Sequence, residues 1–322
     1  MVCPRSPEHE GWGDVAMRRA WHTLRVLDER CDLETLLHAT EVPPQPGLSW
    51  LGQAGFLIRW RELRLVIDPY LSDSLATKYR GTRFPHIRMV PPPIGPEHCV
   101  PLHTVLCTHA HSDHMDPETL PQLAAANPEC RFVVPRADRA TALARGVPAQ
   151  RLVSVNAGDR LQLAPDLALR VLPAAHEQLQ TDEQGDHRFL GYVLYFGSTA
   201  IYHSGDCVPF AGLDEELAAC GVHVALLPVN GRDQQRSAHG ILGNFTFDEA
   251  TALCIRCKIS AMIACHFGMF DFNTVDASWL DEQITRTSAS LPCWRPQLGH
   301  VYWLQPRIAD DSIETPVKRT TS

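Results

Sequence analysis

The chain has 322 residues, 44% of them hydrophobic, and a net charge of −8 with histidine neutral. That is enough apolar material for one large core, and the acidic balance argues against a sequence-independent nucleic-acid binder, which needs a basic face. No apolar run reaches the roughly 18 residues of a membrane span, and the first eight residues, Met1-Val2-Cys3-Pro4-Arg5-Ser6-Pro7-Glu8, lack the apolar core of a signal peptide. The expectation is a cytoplasmic protein with no membrane or nucleic-acid partner, its 11 cysteines reduced and mostly buried.

In chain order, residues 12–30 suggest a helix with an apolar stripe of Val15, Ala16, Ala20, Leu24 and Leu27. A shorter helix over 33–39 is stopped by Pro43-Pro44-Gln45-Pro46-Gly47. Residues 1–47 thus read as a helical extension that docks on the body or on a neighbouring subunit. The body, 48–304, opens with short β-rich runs at 48–51, 54–60 and 63–67, the third ending in Asp68-Pro69. Residues 72–100 read as irregular and carry Lys78, Arg80, Arg83 and Arg88 against only Asp73 and Glu97. Two readings stand: a lid whose cations attract an anionic substrate, or a solvated surface loop.

A strand over 102–107 then delivers Thr108-His109-Ala110-His111-Ser112-Asp113-His114. Three imidazoles and a carboxylate in six residues are a metal-binding signal, because imidazole nitrogen and carboxylate oxygen are the usual ligands of zinc and suit other first-row metals. Asp116 and Pro117 start a helix over 118–125. Strands at 131–134, 151–155, 161–163 and 167–172 and a helix at 137–144 follow. The last of these strands ends in Pro173-Ala174-Ala175-His176. A hairpin, 191–196 and 199–203 over Gly197-Ser198, ends in Ser204-Gly205-Asp206. A strand at 222–227 leads into Asn230-Gly231-Arg232-Asp233. Thr246 and Glu249 form a capping box for a helix through 258. Within it, Cys254 and Cys257 share a face with Ala250 and Leu253 and read as packing rather than redox chemistry. A buried strand at 259–265 ends in His266, and a helix at 276–287 and a strand at 301–304 complete the body. Residues 305–322 form a polar tail expected to fray.

Asp68, the 109–114 cluster, His176, Asp206 and His266 therefore all follow apolar strands. In this order they resemble the metallo-β-lactamase fold superfamily over about residues 48–304. The resemblance implies an α/β fold, a four-layer αββα sandwich, and two divalent metal ions, zinc or manganese. His109, His111 and His176 would hold one; Asp113, His114 and His266 the other; Asp206 would bridge them and Asp68 would orient a histidine. Two such cations lower the pKa of a bridging water and stabilise charge on a carbonyl or phosphoryl oxygen, which implies hydrolysis by a metal-bound hydroxide with Asp113 as the catalytic proton shuttle.

Trp50-Leu51-Gly52-Gln53-Ala54-Gly55-Phe56, Tyr202-His203-Ser204-Gly205-Asp206, Asn230-Gly231-Arg232-Asp233, Gly243-Asn244-Phe245-Thr246 and His266-Phe267-Gly268-Met269-Phe270 resemble the branch of the bacterial L-ascorbate-6-phosphate lactonase. That branch opens a phosphorylated sugar lactone and can form homo-oligomers. It implies a small anionic substrate held by Asn230, Arg232, His203 and Arg80. The alternatives are a phosphodiesterase of the N-acylphosphatidylethanolamine phospholipase D type and a non-catalytic, metal-stabilised interaction module.

Overall fold

The computed structural model describes residues 24–306. Seven strands come first: β1 (Leu24–Arg30), β2 (Gly47–Gly52), β3 (Gly55–Trp60), β4 (Leu63–Ile67), β5 (Thr104–Leu106), β6 (Arg131–Pro135) and β7 (Leu152–Val155). The next seven are β8 (Arg160–Ala164), β9 (Leu167–Pro173), β10 (Leu190–Phe196), β11 (Thr199–His203), β12 (Val224–Pro228), β13 (Ala261–Cys265) and β14 (Cys293–Trp294), and β15 (His300–Pro306) is the last among the described residues. They make two sheets, ordered β1-β15-β2-β3-β4-β5-β6-β7 and β14-β13-β12-β11-β10-β9-β8.

Side-chain alternation explains the layers. Leu65 and Ile67 of β4, Leu106 of β5 and Val133 of β6 join Tyr192, Leu194, Ile201 and Leu226 of the second sheet in one buried cluster. The intervening Val66, Val105, Phe132 and Val134 face the other way and pack with Leu36, Leu37, Leu120 and Leu123, from the helices Leu33–His38 and Thr119–Ala126. On the far side the helix Phe247–Arg256 buries Ala250, Leu253 and Cys254, so Cys254 packs in the core and both cysteines of the pair are free thiols. Its capping box, Thr246 with Glu249, is formed. The expected four-layer sandwich is the observed one.

The N-terminal section differs from expectation. Residues 12–23 of the expected first helix lie outside the described residues, and 24–30 is a strand. It pairs antiparallel with β15 from Leu24 opposite Pro306 to Arg30 opposite His300. A ladder to a strand some 270 positions away overrides the local helical pattern, a common outcome when tertiary pairing competes with propensity. The segment is thus an edge of the first sheet rather than an appendage. The helix Leu33–His38 is tied down as well, by Arg64 Nε donating to the Leu37 carbonyl at 2.6 Å. Gln305 and Pro306, expected in the tail, finish β15, while 307–322 lie outside the described residues. The 72–100 segment contains the short helix Ser74–Lys78 and a turn of 3-10 helix at Pro96–His98.

Two contacts between sheets fix the start of the histidine-rich loop. Tyr192 Oη donates to the Cys107 carbonyl at 2.7 Å, and Leu190 N to the Thr108 carbonyl at 3.1 Å. Tyr192 is fully buried. Tyr192→Phe leaves a buried carbonyl without its donor and is expected to lower the unfolding free energy by about 1–3 kcal/mol in urea denaturation. A loss well under 1 kcal/mol would show that this contact does not hold the two sheets in register.

Candidate metal centre

Parallel strands β4 and β5 of one sheet, and β11, β12 and β13 of the other, run their carboxyl ends to one edge of the sandwich. Side chains that leave those ends converge, which is where open α/β sheets place their sites. All seven candidate ligands meet there. His109, His111 and Asp206 offer ligand atoms within 4.8 Å of one another, and so do Asp113, His114 and His266. His176 joins the first group, its Nε2 being 3.5 Å from Asp206 Oδ2 and its ring 5.2 Å from that of His111. Asp206 Oδ1 lies 3.2 Å from His114 Nε2 and 3.3 Å from His266 Nε2. One carboxylate thus presents one oxygen to each group. Gly205 at φ +60° makes the turn that aims it; a Cβ there would meet the Thr108 side chain at 2.8 Å.

Asp68 stands behind the centre, fully buried. Its Oδ1 accepts from Thr108 N at 2.7 Å; its Oδ2 accepts from Thr108 Oγ1 at 2.7 Å and from His114 Nδ1 at 2.8 Å. This fixes the His114 tautomer and turns Nε2 toward the centre. Thr108 Oγ1 also lies 3.1 Å from His109 Nδ1, and Arg145 braces the loop through the Ala110 and Met115 carbonyls.

The centre's electrostatics divide in two. Burial, with His114 and His111 beside it, pushes His109 well below the usual histidine range, and burial takes His176 down to about 4. Both present neutral imidazoles. For His114 and His266 burial acts the same way but is outweighed. Asp206, Asp68 and Asp113 hold His114 well above its ordinary value, and Asp206 with Asp113 brings His266 up to about 9. Burial raises Asp113 and Asp206, yet the neighbouring imidazoles outweigh it and hold both well below the carboxylate range.

These residues fit a cation. His109 Nε2, His114 Nε2 and Asp206 Oδ1 are buried without a hydrogen-bond partner; the last two are close but not aligned. Orphaned buried polar atoms are costly, and mixed imidazole and carboxylate donors suit first-row divalent metals.

Above the centre lies a cavity of about 570 Å³ whose floor includes His111, Asp113, His176, Asp206 and His266. Two loops wall it. One brings Lys78, Tyr79, Arg83, Phe84 and His86; the other brings His239, Ile241 and Leu242. They meet where Arg83 Nη1 lies 2.8 Å from His239 Nε2. The lid reading of 72–100 therefore places cations at the cavity, though not the one singled out.

The four expected substrate contacts are elsewhere. Arg80 is exposed and does not line the cavity. Arg232 spends its guanidinium on both Glu249 oxygens at 2.6 Å, so the helix cap takes the charge. Asn230 is buried behind the wall, bonded to Asn273 at 2.8 Å and Asn244 at 3.1 Å. His203 bonds the Ala54 carbonyl through Nε2 and accepts from Gly205 N, supporting the turn before Asp206. Cys207 is buried with its thiol on the Val208 carbonyl, in line with cysteines that are reduced and mostly buried. Lys78 and Arg83, expected only as two among the cations of the 72–100 segment, line the cavity with His86, and Gln53, beside Asp113, is not among the expected site residues. For Gln53 the available signal is a long polar side chain between two glycines in a buried strand pair.

A β-lactamase superfamily domain model matches residues 63–267. The chain belongs to that superfamily. A metal-dependent hydrolase of Pyrobaculum neutrophilum is 26% identical over 186 residues, 56% of this chain and 71% of the relative. N-acyl-phosphatidylethanolamine-hydrolyzing phospholipase D 1 of Caenorhabditis elegans is 23% identical over 268 residues, 78% of this chain and 72% of the relative. Among solved structures, an isothiocyanate hydrolase from Delia radicum gut bacteria superposes with a TM-score of 0.60 at 17% identity, covering 77% of this chain and 96% of that one. At that identity the likeness is one of fold. Among the described residues no helix is long and apolar enough to cross a membrane.

Loading a cation beside Asp113 requires both His114 and His266 to give up a proton, since both are held above the ordinary histidine range, His266 up to about 9. Because both folded pKa values are raised, the bound protons compete below them. Mn2+ affinity should rise with pH, by more than about tenfold per unit while both protons are displaced, and less steeply above about pH 9, where His266 is already neutral. Calorimetry in buffers of different ionisation enthalpy reads the released protons; pH-independent affinity without proton release would contradict this charge distribution.

Proposed function

We propose that the protein is a metal-dependent hydrolase that cleaves an anionic ester, a phosphodiester before a lactone. The observation that carries the reading is the shared Asp206 between two donor groups on the floor of a cavity whose rim holds Lys78 and Arg83. His109, His111 and His176 would hold one divalent cation and Asp113, His114 and His266 the other, with Asp206 common to both. Bound there, such cations supply an activated water and a positive field for charge that develops on a phosphoryl or carbonyl oxygen.

The chain's own residues do the rest. Lys78 and Arg83 draw the anion to the mouth. Leu75, Phe84, Ile241, Leu242 and Phe270 line walls that accept the apolar part of the substrate and exclude water from it. Asp113, only partly buried and exposed to the cavity, is placed to orient the attacking water and carry its proton.

Two points favour a phosphodiester. The relative that covers most of this chain among those described hydrolyses N-acyl-phosphatidylethanolamine. And the residues that a lactone branch would use as its anion clamp, Asn230 and Arg232, do not line the cavity and are already engaged, Asn230 by Asn273 and Asn244 and Arg232 by Glu249. Zinc and manganese both suit the donors.

Lys78→Ala and Arg83→Ala should each raise KM for bis(p-nitrophenyl) phosphate about fivefold, the size of a partly exposed charge contact near 1 kcal/mol. Neutral p-nitrophenyl acetate should be unaffected. Equal effects on both substrates would remove the anion-guiding role.

A further inference from the structure

We propose that Gln53 is a positioning residue for the Asp113 group: its carboxamide holds the Asp113 carboxylate in place for a cation, and so sets the affinity of that position alone. The proposal rests on the two-cation reading of the centre.

Gln53 is fully buried, in the turn between β2 and β3. Its Nε2 donates to Asp113 Oδ2 at 2.8 Å and lies 3.1 Å from His266 Nε2. The orientation follows from chemistry, since a carboxylate accepts only, so the nitrogen must face it. The other end of the amide, Oε1, is buried without a partner. The main chain is pinned just as firmly. The Gln53 carbonyl accepts from His266 N at 2.8 Å and from Trp50 Nε1 at 2.9 Å. One residue therefore touches both Asp113 and His266, which come from opposite sheets. None of the first group (His109, His111, His176) is among its hydrogen-bond partners.

The backbone supports a role beyond packing. Gln53 sits at φ +50°, a left-handed conformation that glycine or asparagine adopts more readily. Strain of this kind persists where the surroundings require it. An orphaned amide oxygen and a strained backbone are both unfavourable, and a leucine would carry only the second.

Two effects oppose each other at Nε2. One N–H fixes Asp113; the same nitrogen also crowds His266 Nε2 at 3.1 Å, the atom that a cation needs. A hydrogen bond to a charged acceptor is roughly twice as strong as a neutral one, so fixing the carboxylate dominates, and losing the amide weakens the position.

The test is Mn2+ titration of the metal-stripped full chain, followed by calorimetry and electron paramagnetic resonance. For Gln53→Leu the expected result is that one of two binding steps weakens about 10- to 100-fold while the other stays within about twofold; the unchanged step also reports an intact fold. Gln53→Glu keeps the size but cannot donate to Asp113, and should weaken the same step at least as much. Wild-type affinity at both steps in Gln53→Leu overturns the proposal, as does equal weakening of both. A tightened step in Gln53→Glu overturns it too, by making residue 53 a ligand rather than a donor. A wild-type chain that takes up no Mn2+ removes the two-cation reading itself, an outcome distinct from the others.

Discussion

The centre depends on one buried carboxylate. Asp68, at the end of β4, takes three hydrogen bonds from the loop after β5: Thr108 N, Thr108 Oγ1 and His114 Nδ1. Its own N–H donates to the Leu106 carbonyl. A carboxylate removed from water is stable only when such donors replace the solvent. The requirement works in both directions: the loop gains a fixed conformation and the buried Asp68 oxygens gain their donors. Through Thr108 and His114 the constraint reaches both donor groups. Without it His114 could rotate, and the Nε2 now facing Asp206 would lose its aim.

The second sheet closes what the first begins. Asp206 and His266 arrive from β11 and β13, held level with the loop by contacts between the sheets at Cys107 and Thr108. The resulting cluster carries its own charge balance. Burial lowers the imidazoles of His109, His111 and His176 on one side, while on the other burial is outweighed: Asp206, Asp68 and Asp113 raise His114, and Asp206 with Asp113 raises His266. Cations bound there would take the place of the protons that these carboxylates favour.

Much of this was legible in the sequence, for a physical reason. Strands buried on both faces read as apolar runs, and an acid or imidazole that ends such a run stands out, as Asp68, His176, Asp206 and His266 do. Local chemistry also announced the capping box at Thr246 and the hairpin over Gly197. Features that depend on distant partners were not legible. β1 is a strand because β15 pairs with it. Arg232 looked free in a polar loop, but whether a guanidinium meets substrate or Glu249 is decided by a helix cap 17 positions on. His203 stood beside Asp206 in sequence and turned inward to the Ala54 carbonyl. Gln53 meets Asp113 across 60 positions; its setting between two glycines singles the residue out but does not name its partner.

The central claim is that these side chains hold divalent cations and use them for hydrolysis. Elemental analysis of the purified full chain, with phosphodiesterase assays before and after chelation, tests it most directly. The account predicts close to two equivalents of zinc, manganese or a similar metal per chain, loss of turnover on chelation and its return when metal is restored. A chain that carries no tightly bound metal, or one whose hydrolysis survives complete chelation, would contradict it.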